Sequence, residues 1–406
     1  MEACHPALQF NVTSYGATIL AIITLEVFVG MWINAFIVCV LCIAWVKKKI
    51  LNSNEKILLL LGCSRISYLC ILWVYHFLSK IYPNYLHVHN IFQLLATFQT
   101  FFNYSNLWVS ACLCGFYCIK IANFRNSFFI YLKVKIDRMV PWLLLGSEIL
   151  ALAMGIVICA LMETAQSSNI TLTSQENFWE ARITMDKHFF SSFFLTGFGY
   201  AASFTAVFFA AVFLLFSLWR HKHTMQTSSM KDLSMDAHIR AMKSVLSFLV
   251  MYRILALAVG IVAYDIADKP HCNSNSTGRG NFGAANIKMD KHFFPSFFLA
   301  VIFSAVFLLF SLWRHKHMMQ TNSMKDLSMD AHIRAMKSVL SFLVMYSINF
   351  VCLVLDMVYV TKKLNHMTFL ILVFQYIFPG LHSLILVFSN PKLEKALLII
   401  VSNKVI

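Results

Sequence analysis

The chain has 406 residues, of which 59% are hydrophobic and 13% charged, and its mean hydropathy is +0.70; soluble proteins carry about 25% charged residues. That balance excludes a soluble enzyme or scaffold and implies one polytopic membrane domain spanning residues 1–406. The formal net charge of +15 would suit a nucleic-acid binder, but the basic residues sit in short clusters between long apolar runs, so membrane topology accounts for them and no nucleic-acid partner is expected.

About 20 apolar residues cross the hydrocarbon core as a helix. By that ruler the first five spans are Thr18–Val46, Ile57–Leu78, Ile91–Ile119, Val140–Leu161 and Phe189–Trp219. Four more follow at Ser244–Tyr264, Phe293–Trp313, Ser338–Val360 and Thr368–Ser389, giving nine predicted helices. No Lys or Arg precedes Lys47, whereas Lys47, Lys48 and Lys49 follow the first span at once. This asymmetry places the N-terminus outside and the first loop in the cytoplasm. With no basic stretch or small-residue cleavage site ahead of it, the first span reads as an uncleaved signal anchor.

Later loops fit the same alternation. Lys120, Arg125, Lys133, Lys135 and Arg138 follow the third span, and basic clusters follow the fifth and seventh. Glycosylation sequons at Asn11, Asn169 and Asn275 fall on the other side. A fourth, Asn103-Tyr104-Ser105, lies inside the third span and is not expected to carry sugar. Most cysteines, among them Cys39, Cys42, Cys63, Cys70, Cys112, Cys114 and Cys118, lie within apolar runs and read as buried thiols rather than bridges.

Residues Ala211–Tyr252 recur at Ala305–Tyr346 with two changes, Thr224 to Met318 and Ser228 to Asn322. Residues 1–252 then hold spans one to five and the start of the sixth. Residues 253–346 form a duplicated insert, and 347–406 complete the sixth span, the seventh and a short tail. Two extra crossings leave the downstream orientation unchanged, with the C-terminus cytoplasmic. Arg253 marks the scar, in the middle of a hybrid span where an arginine costs about 2.5–3.5 kcal/mol. In the second copy that position is Ser347.

At the end of the third span the chain reads FYCIKIANF, Phe116–Phe124, and further motifs follow the same order. These are Glu26 with GMWINAFI and Asn34, SRISYLCILW with Arg65, SNLW with Trp108, LLFSLWRHKH, HIRAMKSVLSFLVMY and HSLILVFSNPKLEKA. Together they resemble the type 2 (bitter) taste receptors, a family of seven-helix G-protein-coupled receptors. The resemblance implies an all-α membrane protein, a seven-transmembrane bundle with two extra spans from the duplication. It implies a plasma-membrane receptor for small, mostly apolar bitter agonists, coupled to a gustducin-like, inhibitory-class heterotrimeric G protein. No D/E-R-Y, C-W-x-P or N-P-x-x-Y motif of rhodopsin-type receptors occurs. The chain also departs from the family's pattern, with Ser203 after Gly199-Tyr200-Ala201-Ala202 where a proline is usual, and Cys112 where many members have an amide.

Ionisable groups at membrane depth usually face the bundle interior and pair, so Glu26, Asn34 and Arg65 are candidates for an internal polar network. The resemblance places a ligand pocket on Trp108, in the outer half of the third span, with Cys112, Asn349, Leu372 and Gln375. It places activation and G-protein contact on Tyr117, Lys120, His332, Lys337 and His382. The two HKH clusters, His221–His223 and His315–His317, read as solvated juxtamembrane groups, because residues two apart do not share a helix face. No metal site, cofactor or enzymatic motif is expected. Two alternatives stay open: a non-signalling polytopic protein such as a transporter, since transporters carry internal repeats, and a non-functional fusion of two neighbouring receptor genes.

Overall fold

The computed structural model describes residues 14–82, 85, 91–121, 127–169, 199, 202–214, 216–217 and 365–402, with positions 338, 339, 341–343, 345, 346, 349 and 352. Seven helices are labelled here: α1 (Ser14–Lys48), α2 (Ser53–Ile81), α3 (Ile91–Ile121), α4 (Ser127–Asn169), α5 (Ala202–Leu214), α6 (Asn365–Ser389) and α7 (Pro391–Ser402). The described positions between 338 and 352 are helical as well, and no strand occurs among the described residues. The expected spans Ser244–Tyr264 and Phe293–Trp313 lie outside them, as do Asn11, Asn275, His332 and Lys337.

Helices result because a membrane leaves no water to satisfy the backbone, so each span must bond its own amides and carbonyls. At the water boundary side chains take over. Asn52 caps α2 in a box with Glu55, whose Oε2 accepts the Asn52 amide at 3.1 Å.

α1, α2 and α4 are long and apolar enough to cross a membrane. α3 is long enough, but it is less apolar because Gln93, Gln99, Asn103, Ser105, Asn106 and Ser110 interrupt it. It tolerates them by lying between α2 and α4, where ten of its side chains are buried. The fourth span differs most from the sequence reading, Val140–Leu161, and ends at Asn169. α4 begins at Ser127 rather than Val140, so Lys133, Lys135 and Arg138 sit on its first turns and not in a loop. Its 43 residues extend about 65 Å at 1.5 Å per residue, twice the hydrocarbon thickness, so the basic turns reach beyond the core.

α1 packs on α2 and α6, α2 on α3, and α3 on α4. α1 meets α6 glycine on glycine. A Cβ on Gly380 would lie 3.0 Å from the Gly30 Cα, a backbone atom that cannot move aside. Small residues let membrane helices gain dispersion contact, since lipid supplies no hydrophobic drive between them. The main core joins Ile37, Leu58, Leu113, Val140, Phe204, Phe342 and Leu386, drawn from α1 to α6 and the 338–352 segment. Its α5 contribution comes from the first copy of the repeat, and Phe342 from the second.

Outward faces are apolar, with Trp32 78% and Trp142 75% exposed, as suits lipid. Cys39 and Cys63 are on that outer face, which corrects the expectation that they are buried. A small thiol is at home against acyl chains. The nine described cysteines are all free.

Two outcomes test this packing. Gly380→Val should lower surface expression and melting temperature, whereas Gly146→Val, whose Cβ meets nothing within 4 Å, should leave both unchanged. Deleting residues 253–346, which joins Tyr252 to Ser347, should give surface expression at least equal to the full chain. A surface immunoassay reads expression and a thermal melt in detergent reads the midpoint; loss of the deletion variant from the surface would show that residues 244–252 cannot take the place of 338–346 in the bundle.

Candidate functional site

Four helices converge on one side chain. Arg65 of α2 is 1% exposed, and its guanidinium makes three directed contacts. Nε donates to Asn106 Oδ1 on α3 at 3.0 Å, Nη1 donates to Ser383 Oγ on α6 at 2.6 Å, and Nη2 lies 2.5 Å from His382 Nδ1. The Ser383 hydroxyl lies 2.7 Å from Asn34 Oδ1 on α1 and 2.8 Å from the Pro379 carbonyl, and its single proton serves one of them at a time. Asn34 is anchored in turn, its Nδ2 donating to the Gly30 carbonyl at 2.7 Å.

The chemistry of the donors fixes the protonation pattern. A guanidinium only donates, so the His382 Nδ1 facing it must accept, and the imidazole proton sits on Nε2. That Nε2 is buried with no hydrogen-bond partner among the described residues, and the ring meets Phe342 edge-on at 3.6 Å between centroids. Bringing an unpaired charge to this depth costs several kcal/mol after relaxation, so the surrounding polar groups must recover most of it.

A small cavity adjoins Arg65. Asn103, Asn106, Leu107 and Ser110 line it from α3, one stripe at i, i+3, i+4 and i+7, while Asn349, Tyr346 and His382 close it. Tyr346 donates its hydroxyl to the Leu107 carbonyl at 2.7 Å, holding the 338–352 segment against α3.

The expected site residues divide accordingly. Asn34, Arg65 and His382 come together, and Asn349 lies across the cavity from them. Glu26 stays apart: it is two turns from Asn34, bonds neither Asn34 nor Arg65, and has one buried carboxylate oxygen without a partner among the described residues. Trp108 sits at mid-helix rather than in the outer half, because α3 runs from Ile91 to Ile121. It packs partly buried against the core, and its indole N–H is buried without a partner among the described residues. Cys112, one turn on, faces α4, with its Sγ 3.3 Å from Ser147 Oγ. Leu372 and Gln375 lie on α6, and Asn169 ends α4, but their side chains lie outside the described ones.

Near the other end of α3, Tyr117 is packed against the core and Lys120 pairs with Asp137 of α4 at 2.5 Å. Both charges are about half exposed, so the pair contributes little to stability. Lys392 of α7 reaches Glu55 of α2 at 2.5 Å and ties α7 to the first turn of α2. No cluster of three metal-ligating side chains occurs among the described residues.

Asn106 and Ser383 were not singled out by sequence reasoning, although both lie in motifs it quoted, SNLW and HSLILVFSN. The usable signal was their spacing: Asn106 belongs to the Asn103/Asn106/Ser110 stripe, and Ser383 adjoins His382.

Replacing Ser383 with Ala removes the oxygen shared by Arg65 and Asn34. A buried group left unsatisfied costs about 1–3 kcal/mol, so S383A should melt at a clearly lower temperature in detergent, with Ser383→Thr partly restoring it. An unchanged S383A melt would show that the network carries no such load.

Comparison with known proteins gives a consistent answer. The family model "Taste receptor protein (TAS2R)" matches residues 12–274 and 271–404. Taste receptor type 2 member 7 of Macaca mulatta is 33% identical over 230 residues, covering 56% of this chain and 72% of the relative. Taste receptor type 2 member 9 of Papio hamadryas is 32% identical over 232 residues, with the same two coverages.

Proposed function

The chain belongs to the taste receptor type 2 (TAS2R) family, and from that membership we propose that it is a plasma-membrane receptor for small, mostly apolar bitter compounds. Members of this family are receptors and not enzymes, and the apolar helices make this one a multi-pass membrane protein. Membership also removes the transporter reading.

In this proposal the N-terminus is outside, with sugar on Asn11, Asn169 and Asn275, and the C-terminus is cytoplasmic. Residues 1–252 and 347–406 supply a seven-span receptor, and 253–346 is a duplicated insert. Agonist occupies an outward-opening cavity walled by Trp108, Asn349, Leu372 and Gln375. Cys112 contributes at most a neighbour, since its thiol faces Ser147. The observation that carries this reading is Trp108, a large apolar ring at mid-helix whose buried N–H has no partner among the described residues. A buried donor of that kind suits a ligand acceptor, and pockets for such compounds are apolar with a few polar groups.

Signalling requires the ligand to prefer one of two bundle states, for a ligand with equal affinity shifts nothing. The Asn34–Ser383–Arg65–His382 network is placed to report such a shift, because it ties α1, α2, α3 and α6 to one group. Glu26, with an unsatisfied oxygen, stands above it. Tyr117, Lys120, His332 and Lys337 then face a gustducin-like, inhibitory-class G protein, with membrane lipid around the bundle.

A panel of bitter compounds on cells expressing the chain with a gustducin-like chimera, read by calcium release, tests the proposal. At least one agonist should emerge, and Trp108→Ala should shift its half-maximal concentration upward by tenfold or more at equal surface expression. An unchanged dose response would remove Trp108 from the pocket. Silence of a surface-expressed chain across the panel would favour the non-functional fusion.

A further inference from the structure

The cavity beside Arg65 has more donors than its protein neighbours use. A guanidinium carries five N–H groups, and three are directed at Asn106, Ser383 and His382. Two Nη hydrogens therefore remain. Asn106 turns its amide oxygen to Arg65, which forces its NH2 group the other way, on a residue that lines the cavity. His382 turns Nδ1 to Arg65, which leaves a proton on Nε2, buried and without a partner, on another lining residue. Asn103, Ser110 and Asn349 complete a neutral polar wall.

Charge is the second imbalance. Among the described residues no carboxylate pairs with Arg65: Asp137 holds Lys120, Glu55 holds Lys392, and Glu148 accepts from Ser105. Every contact of the buried cation is with a neutral group. The cavity measures about 40 Å³, counted as room for the centre of a water-sized sphere; one water needs roughly 10–15 Å³ on that scale.

We propose that this cavity is a binding site for a small monatomic anion, chloride in the cell, held by the Arg65 guanidinium with the Asn106 amide as a further donor. Water can fill the volume, but only an anion also supplies the missing charge. An organic anion such as gluconate is too large to enter. The site shares Asn349 with the proposed agonist pocket but not Trp108, which does not line the cavity. It stabilises the bundle at the point where α1, α2, α3 and α6 meet.

The test is the melting temperature of the purified full chain in detergent, without agonist or G protein, in sodium chloride, bromide or gluconate at equal ionic strength. A ligand bound only by the folded state raises stability with the logarithm of its concentration. The midpoint should lie several degrees higher in chloride and bromide than in gluconate, and should climb with chloride concentration. Arg65→Gln should abolish the difference. Ser110→Val, which fills the cavity and keeps the three Arg65 bonds, should abolish it too, and decides the matter if Arg65→Gln does not fold. Equal midpoints in the three salts would overturn the proposal, as would a chloride effect that survives in Ser110→Val, an adventitious ion only. Because no agonist enters the measurement, its failure is separate from any failure of the receptor assignment.

Discussion

A buried arginine at the meeting point of four helices constrains everything around it. Lipid and protein interior both penalise an unpaired charge heavily, so α3 and α6 must each deliver polar groups to within about 3 Å of the guanidinium, and α1 joins through Asn34, which meets Ser383. Asn34 is 31 residues upstream of Arg65 and Ser383 is 318 downstream; no local preference brings them together. The two-glycine contact between Gly30 and Gly380 serves the same end. It draws α6 close enough to α1 for Ser383 to reach Asn34 one turn away. Packing and polar satisfaction are thus one requirement seen from two sides.

The fold class was legible because composition alone forces it. With charged residues so scarce and apolar runs so long, only membrane helices satisfy the backbone. Boundaries were less legible where water and lipid exchange. The hydropathy ruler began the fourth span only at Val140 because it counts Arg138 and Lys135 against a helix, although long basic side chains at a helix end reach the interface comfortably. The third span is the reverse case. Hydropathy undervalues α3 because a helix enclosed by others has no need to match lipid, and its polar stripe at Asn103, Asn106 and Ser110 faces inward.

The candidate site was legible in part, for the same physical reason. Asn34 and Arg65 stand out as polar groups in apolar runs, and intramembrane charge is a strong signal. Glu26 gives an equal signal in sequence, yet it does not join them, since eight residues separate it from Asn34 and Arg65 already has its three neutral partners. Serine and asparagine are common helix neighbours and carry little signal singly, so Ser383 and Asn106 become visible only when the rotation of each helix is known. Direction likewise decides Cys112. A position four residues from Trp108 shares its face in broad terms, but the thiol turns to Ser147 across the α3–α4 contact.

The duplication poses a choice of copies, and the flanking residues decide it. From Ala211 to Tyr252 and from Ala305 to Tyr346 the two copies are equivalent apart from two substitutions, so neither offers a better core on its own. Upstream, the first copy of the fifth helix retains Gly199 and the segment around it, whereas the second lacks about ten residues there. Downstream, the first copy of the sixth span runs into Arg253, while the second continues into Ser347, Asn349 and Cys352. An arginine at that depth costs about 2.5–3.5 kcal/mol, a cost that the second copy's Ser347 avoids. The described packing follows this logic: Phe204 and Val207 of the first copy's helix meet Val339 and Phe342 of the second copy's in one core. Among the described residues, the fifth-helix place is held by the first copy and the sixth-span place by the second, in each case the copy whose flank is intact.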